Sequence, residues 1–302
     1  MATRMAPERE KHSAALSSVL AAVGLTGLKI VVGITTGSLG ILAEAAHSGL
    51  DLVAAIVTLV AVRLSDRPAD REHPYGHGKI ENLSALFETL LLLLTCGWII
   101  FEAVERLAYR PVHVDASVWA FLVMLTSIGV DWSRSRMLYR VARKHNSQAL
   151  EADALHFSTD IWSSLVVLLG LVCVVVAHRF PRFEFLFLAD SVAALGVAVI
   201  VIVVSLQLGL RTIQALLDTA PAGLAEQITR TVEALPGVID CHNVRLRYSG
   251  PHLFVDAHVH LDGRQTLDEA HALTERIEDV ICSMVPAADV TVHPEPAPRE
   301  GP

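Results

Sequence analysis

The chain has 302 residues, 52% of them hydrophobic and 19% charged, with a formal net charge of −8 and a mean hydropathy of +0.47. That is too apolar for an ordinary soluble domain, and an acidic chain with no basic stripe in its C-terminal part excludes a nucleic-acid partner. Cys96, Cys173, Cys241 and Cys282 lie far apart with no CxxC pair, which suggests neither a disulfide framework nor a thiolate zinc site.

Crossing a bilayer takes roughly 20 mostly apolar residues. Six stretches qualify, at about 13–35, 39–63, 80–105, 117–140, 150–178 and 187–216. The apolar core of the first is longer than the roughly 7–15 residues of a signal peptide and no clear cleavage site follows it, so it is predicted to be a span. Its GITTG, Gly33 to Gly37, is a weak helix-packing match. Basic residues fall on alternate connections: Arg4, Arg9 and Lys11; then Arg63, Arg67, Arg71 and Lys79; then Arg134, Arg136, Arg140, Arg143 and Lys144. The opposite connections offer only Arg106, Arg110, Arg179 and Arg182. The positive-inside rule then places both termini in the cytoplasm. The expected divisions are an N-terminal segment 1–12, a six-helix transmembrane domain 13–217, a cytoplasmic α+β domain 218–295 and a flexible tail 296–302.

The second span, ILAEAAHSGLDLVAAIVTLVAV, holds His47 and Asp51 four residues apart, hence on one helical face. The fifth, ALHFSTDIWSSLVVLLG, repeats the arrangement with His156 and Asp160. An ionisable residue inside a span costs several kcal/mol and normally faces a cavity or a partner. Each pair could be an intrahelical hydrogen bond that satisfies itself. Two such pairs at similar depth fit better with one tetrahedral site of two nitrogens and two carboxylate oxygens, suited to Zn²⁺. Glu44, one turn before His47, is left outside the ligand set. Metal loading requires neutral imidazole and ionised carboxylate, so it displaces protons. No Walker A sequence supports an ATP drive, and no HExxH or nucleophile elbow supports catalysis.

Between the second and third spans lies HPYGHGK, residues 73–79, with two histidines four apart beside Gly76, Gly78 and Lys79. Such a pair means little by itself, and its plain reading is a turn whose histidines merely face the cytoplasm. Beyond residue 220 the pattern predicts a helix over 222–235, a hairpin in NVRLRYSGPHLFVDAHVHLDG and a second helix capped by Thr266 or Asp268. ADVTVHPEP is predicted as a third strand. The αββαβ order fits a two-layer α+β domain.

Together HSGLD, HFSTD, ADREHPYGHGKIE and LLDTAP, in this order along nearly the whole chain, resemble the cation diffusion facilitator family of divalent-metal/proton antiporters. The resemblance implies a homodimer of six-span protomers that exports metal from the cytoplasm of a prokaryote across its plasma (inner) membrane. It also implies a metallochaperone-like tail. Its transport site would be His47, Asp51, His156 and Asp160, and Asp70, His73 and His77 would form a loop site. Lys79 and Asp218 would form a charged pair coupling membrane and tail domains. In the tail, His242, His258, His271, His293 and Glu295 match positions that bind regulatory zinc between protomers. Many members have Asp where this chain has Glu295, one methylene longer. His260, on the strand face of His258, is either a spare ligand or simply exposed.

The expected cargo is Zn²⁺, with Fe²⁺, Co²⁺ and Cd²⁺ open as alternatives. A membrane-anchored metal sensor that transports nothing is a different class of reading, but it would not need four ionisable residues in matched spans. A metal-gated channel is a third, which counter-movement of protons would exclude.

Overall fold

The computed structural model describes residues 5–109, 118–179, 186–286 and 288–298. Of the charge pattern above, Arg4, Arg110 and Arg182 lie outside these residues, as does the start of the fourth expected span.

The apolar runs form six long helices: α1 (Met5–Thr36), α2 (Leu39–Ser65), α3 (Lys79–Tyr109), α4 (Val118–His145), α5 (Gln148–Arg179) and α6 (Leu186–Leu216). Among the described residues, segments of α1, α2, α3 and α6 are long and apolar enough to cross a membrane. α4 carries Asp131, Arg134, Arg136 and Arg140 within its run. Asp131 and Arg134 are turned into the protein, where both are buried. Residues 5–12 form the first turns of α1, continuous with the apolar run, and are held by Lys144 Nζ and His145 Nε2 on Glu10, at 2.6 and 3.0 Å.

α1 packs against α2 and α4, α4 against α5, and α5 against α2. Small residues make that approach close: Ala14, Ala15, Ala142, Ala149 and Ala154 are buried with Val62, Leu138 and Phe157. Large apolar residues such as Leu20, Ile34, Leu50, Leu94 and Trp98 point outward, as lipid contact requires. Within GITTG the two glycines serve different ends. A Cβ on Gly33 would come within 2.7 Å of Leu42 Cδ2 on α2, and Gly37, at φ 65°, ends α1 in the left-handed conformation. Ser38 then caps α2 by accepting from the Ile41 amide at 3.4 Å.

Residues 68–79 and 213–302 form a second compact unit, distinct from the helical one. It comprises α7 (Leu224–Glu233), β1 (Asp240–Ser249), β2 (His252–Leu261), α8 (Leu267–Met284) and β3 (Asp289–Pro296). β1 and β2 are the expected hairpin, and β3 adds to β2 in parallel, giving sheet order β1-β2-β3. α7 and α8 cover one sheet face, burying Ile228, Val232, Val255, Val259, Ile277 and Ile281. Thr266 caps α8 with a full capping box to Glu269. The β1 register shifts between His242 and Arg245, with Asn243 at φ 51°. This bulge leaves Asp240 and His242 on the face the helices do not cover.

Candidate metal centres

In the helical unit, α2 and α5 bring the two HxxxD pairs together. His156 Nε2 lies 3.0 Å from Asp51 Oδ1 and 3.7 Å from Asp160 Oδ2. His47 Nε2 lies 3.9 Å from Asp51 Oδ1 and 3.9 Å from Asp160 Oδ1. Each carboxylate is thus reached by an imidazole of the other helix as well as its own. An ion with bonds near 2.0–2.1 Å in a tetrahedron needs ligand atoms about 3.3 Å apart; those of His47, Asp51 and Asp160 lie mutually within 4.8 Å, and His156 meets the group through the two carboxylates. The surroundings are dry: His156 is 6% exposed and Asp160 15%, while His47, at 39%, sits at the mouth. Asp160 Oδ2 and His156 Nδ1 are buried without a hydrogen-bond partner. Such atoms are costly unless something else satisfies them.

Around this centre lies a polar shell that belongs to neither HxxxD motif. Lys29 Nζ, from α1, reaches Ser48 Oγ at 2.7 Å and Glu44 Oε2 at 3.3 Å, one turn above the pocket. Arg134 spans Asp131 at 3.3 Å and Ser18 at 3.0 Å, its guanidinium 3.5 Å over the Phe157 ring. Ser18 in turn donates to Asp153 at 3.2 Å. Glu88 is fully buried and accepts from Thr58. At the basic end of the helices, Glu81 gathers Lys11, Ser65 and Ser147. The signal that marks His47 and Asp160, an ionisable residue inside an apolar run, also marks Lys29, Glu88 and Asp153.

In the second unit, residues 68–79 make a turn in which Asp70 Oδ1 accepts from the His73 and Glu72 amides at 2.6 and 2.9 Å. The His73 amide, with that of Glu72, holds the Asp70 carboxyl below its ordinary value. His73 Nδ1 lies 3.2 Å and His77 Nε2 3.4 Å from Asp70, with ligand atoms mutually within 4.8 Å. The turn is seated on the hairpin. Tyr75 meets Phe254 edge-on at 5.3 Å, and Arg247 covers the Tyr75 ring at 3.8 Å. Gly78 abuts the Ser249 carbonyl so closely that no Cβ would fit. Lys79 Nζ pairs with Asp218 at 2.8 Å, and Asp218 itself ends α6 at φ 59°.

On the tail sheet, His242, His258 and Glu295 converge, with His258 Nδ1 at 2.7 Å and His242 Nε2 at 3.6 Å from the carboxylate. His293 Nε2 is 3.7 Å from Glu295. His258, first, and then the charges of His242 and His293 hold the Glu295 carboxyl below its usual value. His271 is not brought to this group. It stands exposed on α8, 3.6 Å from Glu275. Burial pushes the Cys241 thiol up to about 11, so it stays protonated and inert at neutral pH.

A helical membrane unit holding a buried two-imidazole, two-carboxylate pocket, joined to a small α+β unit, defines a metal-cation transporter rather than an enzyme. The family models fit that class: the cation efflux transmembrane domain matches residues 15–217 and the cation efflux protein cytoplasmic domain matches 221–297. The chain belongs to the cation diffusion facilitator family of divalent-cation efflux proteins. It is 33% identical over 287 residues to the cation-efflux pump FieF of Yersinia enterocolitica, covering 94% of this chain and 92% of that one. It is 34% identical over 289 residues to FieF of Yersinia pestis strain Pestoides F, with the same coverage, 94% and 92%. Among solved structures, the zinc form of CzrB is 23% identical with a TM-score of 0.25, covering 28% of this chain and 96% of that one. A cadmium form of a MamM C-terminal domain variant is 22% identical with a TM-score of 0.24, over 26% and 98%. The family assignment rests on the chain-long matches.

Proposed function

We propose that the protein exports Zn²⁺ from the cytoplasm in exchange for protons, by alternating access around His47, Asp51, His156 and Asp160. One observation carries this reading: two helices each contribute one imidazole and one carboxylate to a single buried pocket, with cross-helix separations of 3.0 and 3.9 Å. Two carboxylates neutralise a dication, which lowers the cost of holding it away from water. Protons and metal compete for the same nitrogen and oxygen atoms, so loading on one side and protonation on the other drive opposite exchanges. Both termini lie in the cytoplasm of a prokaryotic inner membrane. The chain works as a homodimer, with His271 available to a site shared between tails. Asp70, His73 and His77 hold a loop ion, and Lys79–Asp218 clamps that loop to the end of α6.

The test is metal uptake into proteoliposomes under a proton gradient, with Zn²⁺, Fe²⁺, Co²⁺ and Cd²⁺ presented singly. Zn²⁺ flux opposed by proton flux, with broader selectivity in His47→Asp, is expected. Faster movement of another of these ions would replace zinc as the cargo. Zinc binding without flux under any gradient would leave a metal sensor.

A further inference from the structure

α4, α5 and α6 leave a groove of about 860 Å³ between them, on the outer side of the helical unit. α5 packs against α4, and α6 approaches α5 at Leu208, which clusters with Ala85, Ala152 and Leu155. The chemistry changes along the groove. One end is lined by Arg136 and Tyr139 of α4, Glu151 of α5 and Arg211 of α6. Arg211 pairs with Glu151 at 2.6 Å, and the Arg143 guanidinium lies 4.6 Å over the Tyr139 ring. Arg136 is exposed and, among the described residues, pairs with no carboxylate. One to two turns deeper come the amide of Gln207 and the hydroxyl of Ser158. The far end is walled by Trp132, Trp162, Leu165 and Val204, with both tryptophans more than half exposed. From Glu151 to Leu165 the stripe on α5 is roughly 21 Å long by helical rise.

We propose that this groove binds an anionic phospholipid of the cytoplasmic leaflet, with its phosphate between Arg136 and Arg211 and an acyl chain along Trp132, Trp162 and Leu165. The basic end is the one that positive-inside bias assigns to the cytoplasm. The choice of leaflet rests on that orientation, and the choice of ligand does not. Three guanidiniums gather there around one carboxylate, and an exposed arginine within a span is costly unless an anion or the aqueous boundary relieves it. Basic pockets between spans on the cytoplasmic side take acidic head groups. The order along the groove is that of a lipid: guanidiniums for the phosphate, amide and hydroxyl for the ester oxygens, tryptophans and branched side chains for the acyl chain. Its length of roughly 21 Å matches one leaflet, half of a bilayer about 40–45 Å thick. An apolar span from a second copy of the chain would leave Arg136 unpaired. His156 and Asp160 sit on α5 on either side of Ser158, so a lipid in the groove braces against α6 the helix that supplies half of the buried pocket.

The test reads tryptophan fluorescence in the full chain carrying Trp98→Phe and Trp119→Phe, which leaves Trp132 and Trp162 of the four tryptophans. Delipidated protein in neutral-detergent micelles is titrated with phosphatidylglycerol or phosphatidylcholine bearing brominated acyl chains, which quench on contact. Phosphatidylglycerol is expected to reach half-quenching at a mole fraction about tenfold lower than phosphatidylcholine. Arg136→Gln should raise the phosphatidylglycerol value about fivefold, one guanidinium's share, and leave the phosphatidylcholine value unchanged. Arg136 is exposed and without an internal ion pair, so the substitution leaves the fold intact. Equal quenching by the two lipids would make the groove an ordinary lipid-exposed face and overturn the proposal. A preference that survives Arg136→Gln would place the lipid elsewhere and overturn it too. No quenching by either lipid would mean that another copy of the chain closes the groove, a third refutation. Metal flux plays no part in this readout, so failure here leaves the exporter reading standing, and a chain that moves no metal would still show the preference.

Discussion

The pocket in the helical unit makes a quantitative demand on Asp51. Its Oδ1 is 3.0 Å from His156 Nε2 and 3.9 Å from His47 Nε2, and the residue is 9% exposed. Asp51→Asn keeps shape and removes one of the pocket's two anionic groups. Stripping one partner from a buried charge pair costs about 3–5 kcal/mol, which at 1.4 kcal/mol per tenfold is roughly 10²–10⁴ in affinity for the ion. Glu44 is the internal control. It is 53% exposed at its side chain, with Lys29 3.3 Å away, and exposed pairs are worth about 0–1 kcal/mol, at most about fivefold. Initial rates of Zn²⁺ uptake into proteoliposomes against concentration are expected to show a rise in KM beyond a hundredfold, or no measurable flux, for Asp51→Asn. Glu44→Gln stays within about fivefold. Equal, small effects of the two substitutions would refute the ligand role of Asp51.

Three further outcomes are expected elsewhere. Asp218→Ala loses both the Lys79 pair at 2.8 Å and a residue type suited to φ 59°, whereas Asp218→Gly loses only the pair. The Ala variant should therefore unfold earlier on heating by about 1–2 kcal/mol relative to the Gly variant, and equal melting would show that the backbone conformation carries no cost. The Asp70 carboxyl is held below its ordinary value by the His73 and Glu72 amides. Its contribution to the turn is therefore full above the unfolded carboxylate value and lost as pH falls through the lower folded one. Proteolytic nicking within 68–79 should rise in wild type only at strongly acidic pH, and in Asp70→Asn it should be high already at neutral pH. Thr266→Ala, which breaks the α8 capping box, should cost about 1 kcal/mol in thermal unfolding of the full chain.

Much of the fold was legible because membrane helices and half-buried strands have strong periodic signals. The boundaries moved where charge rather than apolarity marks the end of the run: the described part of α1 extends back past residue 13 to Met5, and there Glu10 and Lys11 find partners on other helices. Hydropathy alone underrates α4, whose Asp131 and Arg134 are spent on internal pairs. The four side chains of the helical pocket were legible as matched HxxxD pairs. Lys29 and Glu88 carry no HxxxD partner and Asp153 falls outside the one on its helix, and such a charge does not say which neighbour it will meet. The placement of Asp240 was hidden for another reason. Strict alternation along β1 would leave Arg245 and Arg247 on the opposite face from it, and only the bulge at Asn243 puts them on one side.

The motif HPYGHGK does not show what holds the loop between α2 and α3 in place, and its packing does. Twelve residues, Pro68–Lys79, fall in the same compact unit as the tail, and a segment that short has no core of its own. Its conformation comes from Asp70 accepting two amides, from Tyr75 wedged between Phe254 and Arg247, and from the bare Cα of Gly78 on the Ser249 carbonyl. The spacing of Asp70, His73 and His77 is therefore maintained by the hairpin. By linkage, an ion bound to those three side chains must stabilise the docked loop by as much as docking improves its affinity. Were an ion to bind there, loop and tail fold would behave as one thermodynamic system, and the metal level that filled the loop would also set how firmly it holds to the hairpin.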